Sequence, residues 1–142
     1  MTKGRAPSQA ILPTILIVED DQLLKMLTTD IVQDAGFATL EASNADEAIA
    51  ILATRPDIAM LLTDVSMPGT MNGLKLAHVV RARWPHIKII VVTARGDIAV
   101  SDLPAGGRIF NKPYRSDVMI SAIRSLIEPA NVESGARVYL DV

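Results

Sequence analysis

The sequence predicts a doubly wound α/β domain, a five-stranded parallel sheet in the order 2-1-3-4-5 with helices on both faces. Three observations lead there. Strand-like and helix-like periodicities alternate five times along 142 residues without a long structureless gap. The runs Ile15–Val18, Ile58–Leu62 and Ile87–Val92 are apolar without polar alternation, as strands covered on both faces are. Right-handed crossovers with helices on both sides then favour that strand order.

Residues 1–13 are polar and carry Lys3, Gly4, Arg5 and Pro7, which reads as a flexible arm before a domain spanning 14–128. The first strand, Ile15–Val18, ends in Glu19-Asp20-Asp21. From there Leu23, Leu24, Leu27 and Ile31 recur at helical spacing up to Gly36, and Asp21 reads as the start of that helix. Ala38–Ala42 alternates weakly, with Thr39 and Glu41 on one side, as an edge strand does. Ser43 or Asn44 can cap the next helix, whose apolar face is Ala45, Ala48, Ile49 and Leu52 and which Pro56 ends.

The central strand starts at Ile58 and breaks off at Asp64. A loop follows to Gly73, with Asn72 the cap of a helix that carries Leu76, Ala77, Val80 and Trp84 and closes before Pro85. Ile87–Val92 runs into Thr93. Between Ala94 and Gly107, the residues Gly96, Pro104, Gly106 and Gly107 leave room for two turns of helix around 98–103. Arg108–Asn111 is a short strand ending in Lys112-Pro113. Ser116 or Asp117 starts a last helix with Val118, Met119, Ala122, Ile123, Leu126 and Ile127 facing inward. Residues 129–142 form a C-terminal extension in which Ala136, Val138, Leu140 and Val142 alternate with Arg137, Tyr139 and Asp141, a half-buried strand pattern.

Composition narrows the function classes. The absence of cysteine excludes thiol catalysis and Cys-ligated zinc, and suits a reducing compartment. A net charge of −2 gives no electrostatic case for nucleic acid or an anionic membrane. Pro13 and the acids from Glu19 onward disqualify the apolar stretch 10–18 as a signal peptide or membrane span. The expectation is a cytoplasmic domain with neither a nucleic-acid nor a membrane partner.

In the predicted order the first and third strands are neighbours, so Glu19, Asp20 and Asp64 share one rim, where open parallel sheets bind ligands. A like-charge pair about 4 Å apart costs roughly 4 kcal/mol at a surface-like dielectric, so the cluster calls for raised carboxyl pKa values or a hard cation such as Mg2+. Thr93 brings a hydroxyl and Lys112 an ammonium to the same rim. Such a set suits transfer of a phosphoryl group onto Asp64, with Thr93 and Lys112 on the phosphoryl oxygens.

The motifs Ile-Val-Glu19-Asp20-Asp21, Thr63-Asp64-Val-Ser-Met-Pro68, Val92-Thr93-Ala94 and Lys112-Pro113 resemble the signature of CheY-like receiver domains of two-component response regulators, in order and spacing over residues 15–127. That resemblance implies the flavodoxin/CheY-like fold, Asp64 as phosphoacceptor, Asp20 and the backbone carbonyl of Ser66 as magnesium ligands, and Glu19 as an outer-shell acid. It also implies Thr93 and Lys112 as phosphoryl contacts and a cis bond before Pro113. Ile109 stands where the family often carries the aromatic of a Tyr–Thr switch. The implied donor is a sensor histidine kinase, and a histidine phosphotransfer protein can follow in a relay. With no room for an effector unit after residue 128, the expectation is a stand-alone phosphoacceptor, not an enzyme.

Two rivals share the fold: a phosphohydrolase working through Asp64, and a pseudo-receiver acting without phosphorylation. Ser66 stands where haloacid-dehalogenase-type phosphatases have a second Asp, and no Gly-rich phosphate loop follows the first strand. Arg95, two residues past Thr93, is expected to cover the site. A homodimer through the C-terminal extension or the strand 4/5 face completes the expected partners.

Overall fold

The computed structural model describes residues 12–127. The extension 129–142 and all but the last two residues of the arm 1–13 lie outside the described residues. Five strands, β1 (Thr14–Val18), β2 (Ala38–Ala42), β3 (Ile58–Asp64), β4 (Lys88–Thr93) and β5 (Arg108–Asn111), form one parallel sheet in the order β2-β1-β3-β4-β5. The helices are α1 (Gln22–Asp34), α2 (Ala45–Thr54), α3 (Gly73–Arg83) and α4 (Ser116–Ile127).

Alternation along the strands divides the core in two. Leu16, Val18, Leu61, Ile89 and Val91 pack on α2 and α3 through Ala48, Leu52, Leu76 and Val80. Ile15, Ile17, Met60, Leu62 and Ile90 pack on α1 and α4 through Val32, Met119 and Ile123. Each fully buried Leu or Ile contributes roughly 1.5–3 kcal/mol, which is why these strands carry no polar face.

Three helices start on acceptors that the sequence marks. Asp21 Oδ1 accepts from Leu24 N at 2.9 Å, Asn44 Oδ1 from Glu47 N at 2.9 Å and Asn72 Oδ1 from Lys75 N at 2.9 Å.

Three expectations are corrected. The leucine stripe of α1 does not face the core: Leu23, Leu24, Met26 and Leu27 are exposed, while Lys25, Thr29 and Val32 are buried. Lys25 is tolerated inside because Nζ donates to Ser43 Oγ at 2.5 Å, and Thr29 donates to Glu41 at 2.9 Å. Val118, in the first turn of α4, is exposed, while Met119, Ala122 and Ile123 form the buried face of that helix. The segment between β4 and β5 forms a single 3-10 turn, Val100–Asp102, in place of two helical turns.

That segment is held by other means. Gly106 adopts φ +81°, Leu103 is buried, and α3 grips the backbone: His78 Nε2 lies 2.7 Å from Asp102 O and Arg81 Nε donates to Ala105 O at 3.2 Å. Arg81 also donates to Pro85 O and Ile87 O, both at 2.8 Å, so it fastens its own helix end to the start of β4. Arg95 pairs with Asp97 at 2.9 Å, and among the described residues its guanidinium makes no ion pair with Glu19, Asp20 or Asp64. No helix among the described residues is long and apolar enough to cross a membrane.

Candidate functional site

The site is built by what each strand carries out of the sheet at its C-terminal end. Val18 of β1 pairs with Thr63 of β3, so the next residues, Glu19 and Asp64, emerge side by side. Asp64 in turn pairs with Val92 of β4, so Thr93 lies one step further along the same rim. Lys112 follows β5, and its N–H donates to Thr93 O at 2.8 Å. The peptide between Lys112 and Pro113 is cis.

Lys112 joins the acids. Its Nζ donates to Asp64 Oδ2 at 3.0 Å and lies 3.5 Å from Glu19 Oε1. Asp64 Oδ1 has no hydrogen-bond partner among the described residues. Carboxylate oxygens of Glu19, Asp20 and Asp64 all lie within 4.8 Å of one another. Asp20 is exposed, Glu19 is buried, and Glu19 Oε2 accepts from Asp21 N at 3.1 Å.

The electrostatics are unbalanced. Burial pushes the Glu19 carboxyl above its ordinary pKa and the neighbouring Asp64 adds to this, against the Asp21 N–H and the Lys112 ammonium. Burial also works against the Lys112 ammonium, but the carboxylates of Asp64 and Glu19 outweigh it and hold its pKa above the usual lysine range. Three carboxylates against one ammonium leave a formal charge of −2. Oxygen donors at this spacing with this residual charge fit a hard divalent cation such as Mg2+.

Thr93 is buried at the rim, and its Oγ1 accepts from Arg95 N at 2.9 Å, which leaves the hydroxyl proton to point elsewhere. Ser66 is exposed, two residues past Asp64. The loop that carries it is fixed at both ends: Val65 N donates to Val92 O at 3.1 Å, and Gly73 N donates to Val65 O at 2.8 Å.

Gly73 is the site-shaping residue that sequence reasoning missed. A Cβ there would lie 1.7 Å from Asp64 O and 2.9 Å from Thr63 Oγ1. Only a glycine lets the first turn of α3 sit against the backbone of Asp64. The available signal was a glycine directly behind the cap Asn72, a place where propensity favours other residues.

A groove of 460 Å³ opens onto the acids. Leu24, Leu27 and Ile31 of α1 and Pro113 and Tyr114 line it, together with Glu19, Asp64 and Lys112. Chemically, the rim offers an unbonded carboxylate oxygen, a fixed ammonium, a hydroxyl and a cation site, with an apolar approach.

Comparison with known proteins agrees in fold and sequence. The response regulator receiver domain family matches residues 15–124. A response regulator of the NtrX-like type from Rickettsia bellii is 30% identical over 118 residues, covering 80% of this chain and 24% of that protein. The response regulator protein FleR of Pseudomonas aeruginosa is 30% identical over 112 residues, 77% of this chain and 23% of that one. The chain thus spans about a quarter of the length of these curated relatives. A response regulator receiver domain from Clostridium thermocellum superposes with a TM-score of 0.77 at 23% identity, over 85% of this chain and 98% of that one.

Proposed function

This chain belongs to the response regulator receiver domain family, and from that premise we propose that it takes a phosphoryl group onto Asp64 from the phosphohistidine of a sensor histidine kinase. The observation that carries the proposal is Lys112 Nζ at 3.0 Å from Asp64 Oδ2, a bond that leaves Oδ1 available as the nucleophile. Oδ1 attacks phosphorus, the P–N bond to the donor imidazole breaks, and its electron pair stays on that nitrogen. Lys112 then offsets charge on the phosphoryl oxygens, and the Thr93 hydroxyl donates to one of them. Asp20, Asp64 and the Ser66 carbonyl would hold Mg2+, with Glu19 acting through a water. When bound, that ion would supply positive charge to offset the charge that develops on the transferred group.

The donor's docking surface is the apolar approach. Leu23 and Leu27 are 59% and 46% exposed on α1 beside the groove, which suits the packing of a kinase or histidine-phosphotransfer helix that carries its histidine to the rim. Output is through protein contacts that change on phosphorylation. The exchange takes place in the cytoplasm, where the kinase makes its phosphohistidine from ATP.

Acetyl phosphate with Mg2+ is the direct test. One acid-stable, hydroxylamine-labile phosphoryl group per chain is expected, absent in Asp64→Asn. Multiple turnover of a phosphomonoester would instead favour a phosphohydrolase. No label and no spectral change with beryllofluoride and Mg2+ would favour a pseudo-receiver.

A further inference from the structure

The oxygens assigned to Mg2+ are not held equally firmly. Asp64 ends β3 and Asp20 stands one residue before the cap of α1, but Ser66 lies in the longer loop between β3 and α3. A backbone carbonyl in a loop has a fixed position only if the loop around it is held. The two ends of this loop are held, by Val65 N on Val92 O and by Gly73 N on Val65 O. Between them, residues 66–71 make no backbone–backbone hydrogen bond among the described residues. Ser66, Pro68, Gly69 and Thr70 are exposed, and Gly69 turns the chain at φ +106°.

Two kinds of contact hold this stretch. Met67 and Met71 are half-buried against the core beneath α2 and α3, but methionine packs adaptably and fixes a backbone poorly. The directional contact is a hydrogen bond from Thr70 Oγ1 to Asp46 Oδ1 at 3.0 Å. Among the described residues it is the one hydrogen bond made by any of residues 66–71. Asp46 is a firm anchor, because it sits in the first turn of α2 between the buried Ala45 and Glu47, whose N–H donates to the cap Asn44.

We propose that the Thr70–Asp46 hydrogen bond holds the Ser66 carbonyl in register with the rim acids, which makes Thr70 and Asp46 positioning residues for Mg2+ outside its ligand set. This rests on the reading of Asp20, Asp64 and Ser66 as the metal ligands. An acid in the first turn of a helix also stabilises that helix through its dipole, with no ligand involved. That role needs the charge of Asp46 and not the Thr70 hydroxyl. The tether needs the hydroxyl and an acceptor oxygen, charged or not. Partners that orient metal ligands typically contribute 10–100-fold in affinity, and a tether four residues from the carbonyl should contribute about 5–10-fold.

The test is Mg2+ titration of the full-length chain by calorimetry at physiological ionic strength, where an exposed charge is screened. Circular dichroism checks that each variant is folded. Asp20→Asn removes a ligand and should lose the binding. Thr70→Val, which keeps the shape and removes the hydroxyl, should raise Kd about 5–10-fold, and Thr70→Ser should restore it. Asp46→Ala should match Thr70→Val, whereas Asp46→Asn, which loses the charge and keeps an acceptor, should stay close to wild type. The double variant Asp46→Ala/Thr70→Val should bind no more weakly than either single variant, because both remove the same bond. A Thr70→Val chain with the wild-type Kd overturns the proposal. So does an Asp46→Asn chain as weak as Asp46→Ala, which would assign the effect to charge. A wild type that binds no Mg2+, or binds it no better than Asp20→Asn, overturns the metal site itself and the tether with it.

Discussion

Gly73→Ala is the sharpest test of how the site is built. The added methyl would lie 1.7 Å from Asp64 O and 2.7 Å from Asp64 C, so its distance to the oxygen must double to reach ordinary contact at 3.4 Å. Both atoms are backbone in a buried strand, and no side chain can swing away to make room. Either α3 recedes and loses the 2.8 Å bond from Gly73 N to Val65 O, or the end of β3 is pushed outward. Overpacking costs about 1–3 kcal/mol where neighbours can adjust, and this contact belongs at or above the top of that range. A shift of about 1 Å in the nucleophile lowers reactivity about 100-fold, so acetyl phosphate labelling should fall far more than stability does. Urea unfolding and labelling rates should be measured beside Gly96→Ala, whose methyl meets nothing within 4 Å and should change neither. A Gly73→Ala chain with wild-type midpoint and labelling rate would refute the close approach of α3 to Asp64.

Other consequences follow from the same rim. Lys112→Ala leaves Asp64 and Glu19 without their ammonium; labelling should fall 100-fold or more and stability at neutral pH by about 1–2 kcal/mol, the partial exposure of Lys112 limiting the loss. Glu19 holds its proton more tightly folded than unfolded, so without Mg2+ its share of stability is present below the ordinary glutamate range and lost as pH rises through the raised value. Melting curves against pH should show this and lose it in Glu19→Gln, and Mg2+, competing with that proton, should bind more weakly as pH falls through the same window; pH-independent affinity would contradict it. Lys25 is 6% exposed, with Ser43 Oγ as its hydrogen-bond acceptor and no carboxylate within 4 Å among the described residues. Lys25→Met should therefore be neutral or raise stability by about 1 kcal/mol, and a loss of more than about 1 kcal/mol in urea would show that the ammonium has a partner that matters.

The sheet and its order were legible because three strands carry unbroken apolar runs and each gives way at the rim to a polar residue: Glu19, Asp64 or Thr93. Helix starts were legible where an Asp or Asn precedes the apolar period, as Asp21, Asn44 and Asn72 do. Periodicity, however, shows that a stripe exists and not what covers it. Leu23, Leu24 and Leu27 have core spacing, yet the face of α1 toward the sheet carries Lys25, Thr29 and Val32. The segment 94–107 was misjudged for a different reason. Its order comes from α3, through His78 and Arg81 bonding to carbonyls 24 residues away, and no local pattern encodes that. Gly73 belongs with these, since its need for a bare Cα arises from a strand nine residues earlier in the chain.

The orientation of α1 joins the proposed docking surface to the rim acids through one element. Its N-cap Asp21 donates its own N–H to Glu19 Oε2 while accepting from Leu24 N, so the helix start and the rim acid are joined by consecutive hydrogen bonds. The same first two turns present Leu23, Leu24 and Leu27 outward. A partner that packs on these leucines therefore presses on the element that sets the orientation of Glu19, within one turn of the acids. With Lys25 buried, the exposed leucines remain as apolar surface beside Asp64, which is the surface the proposed docking needs.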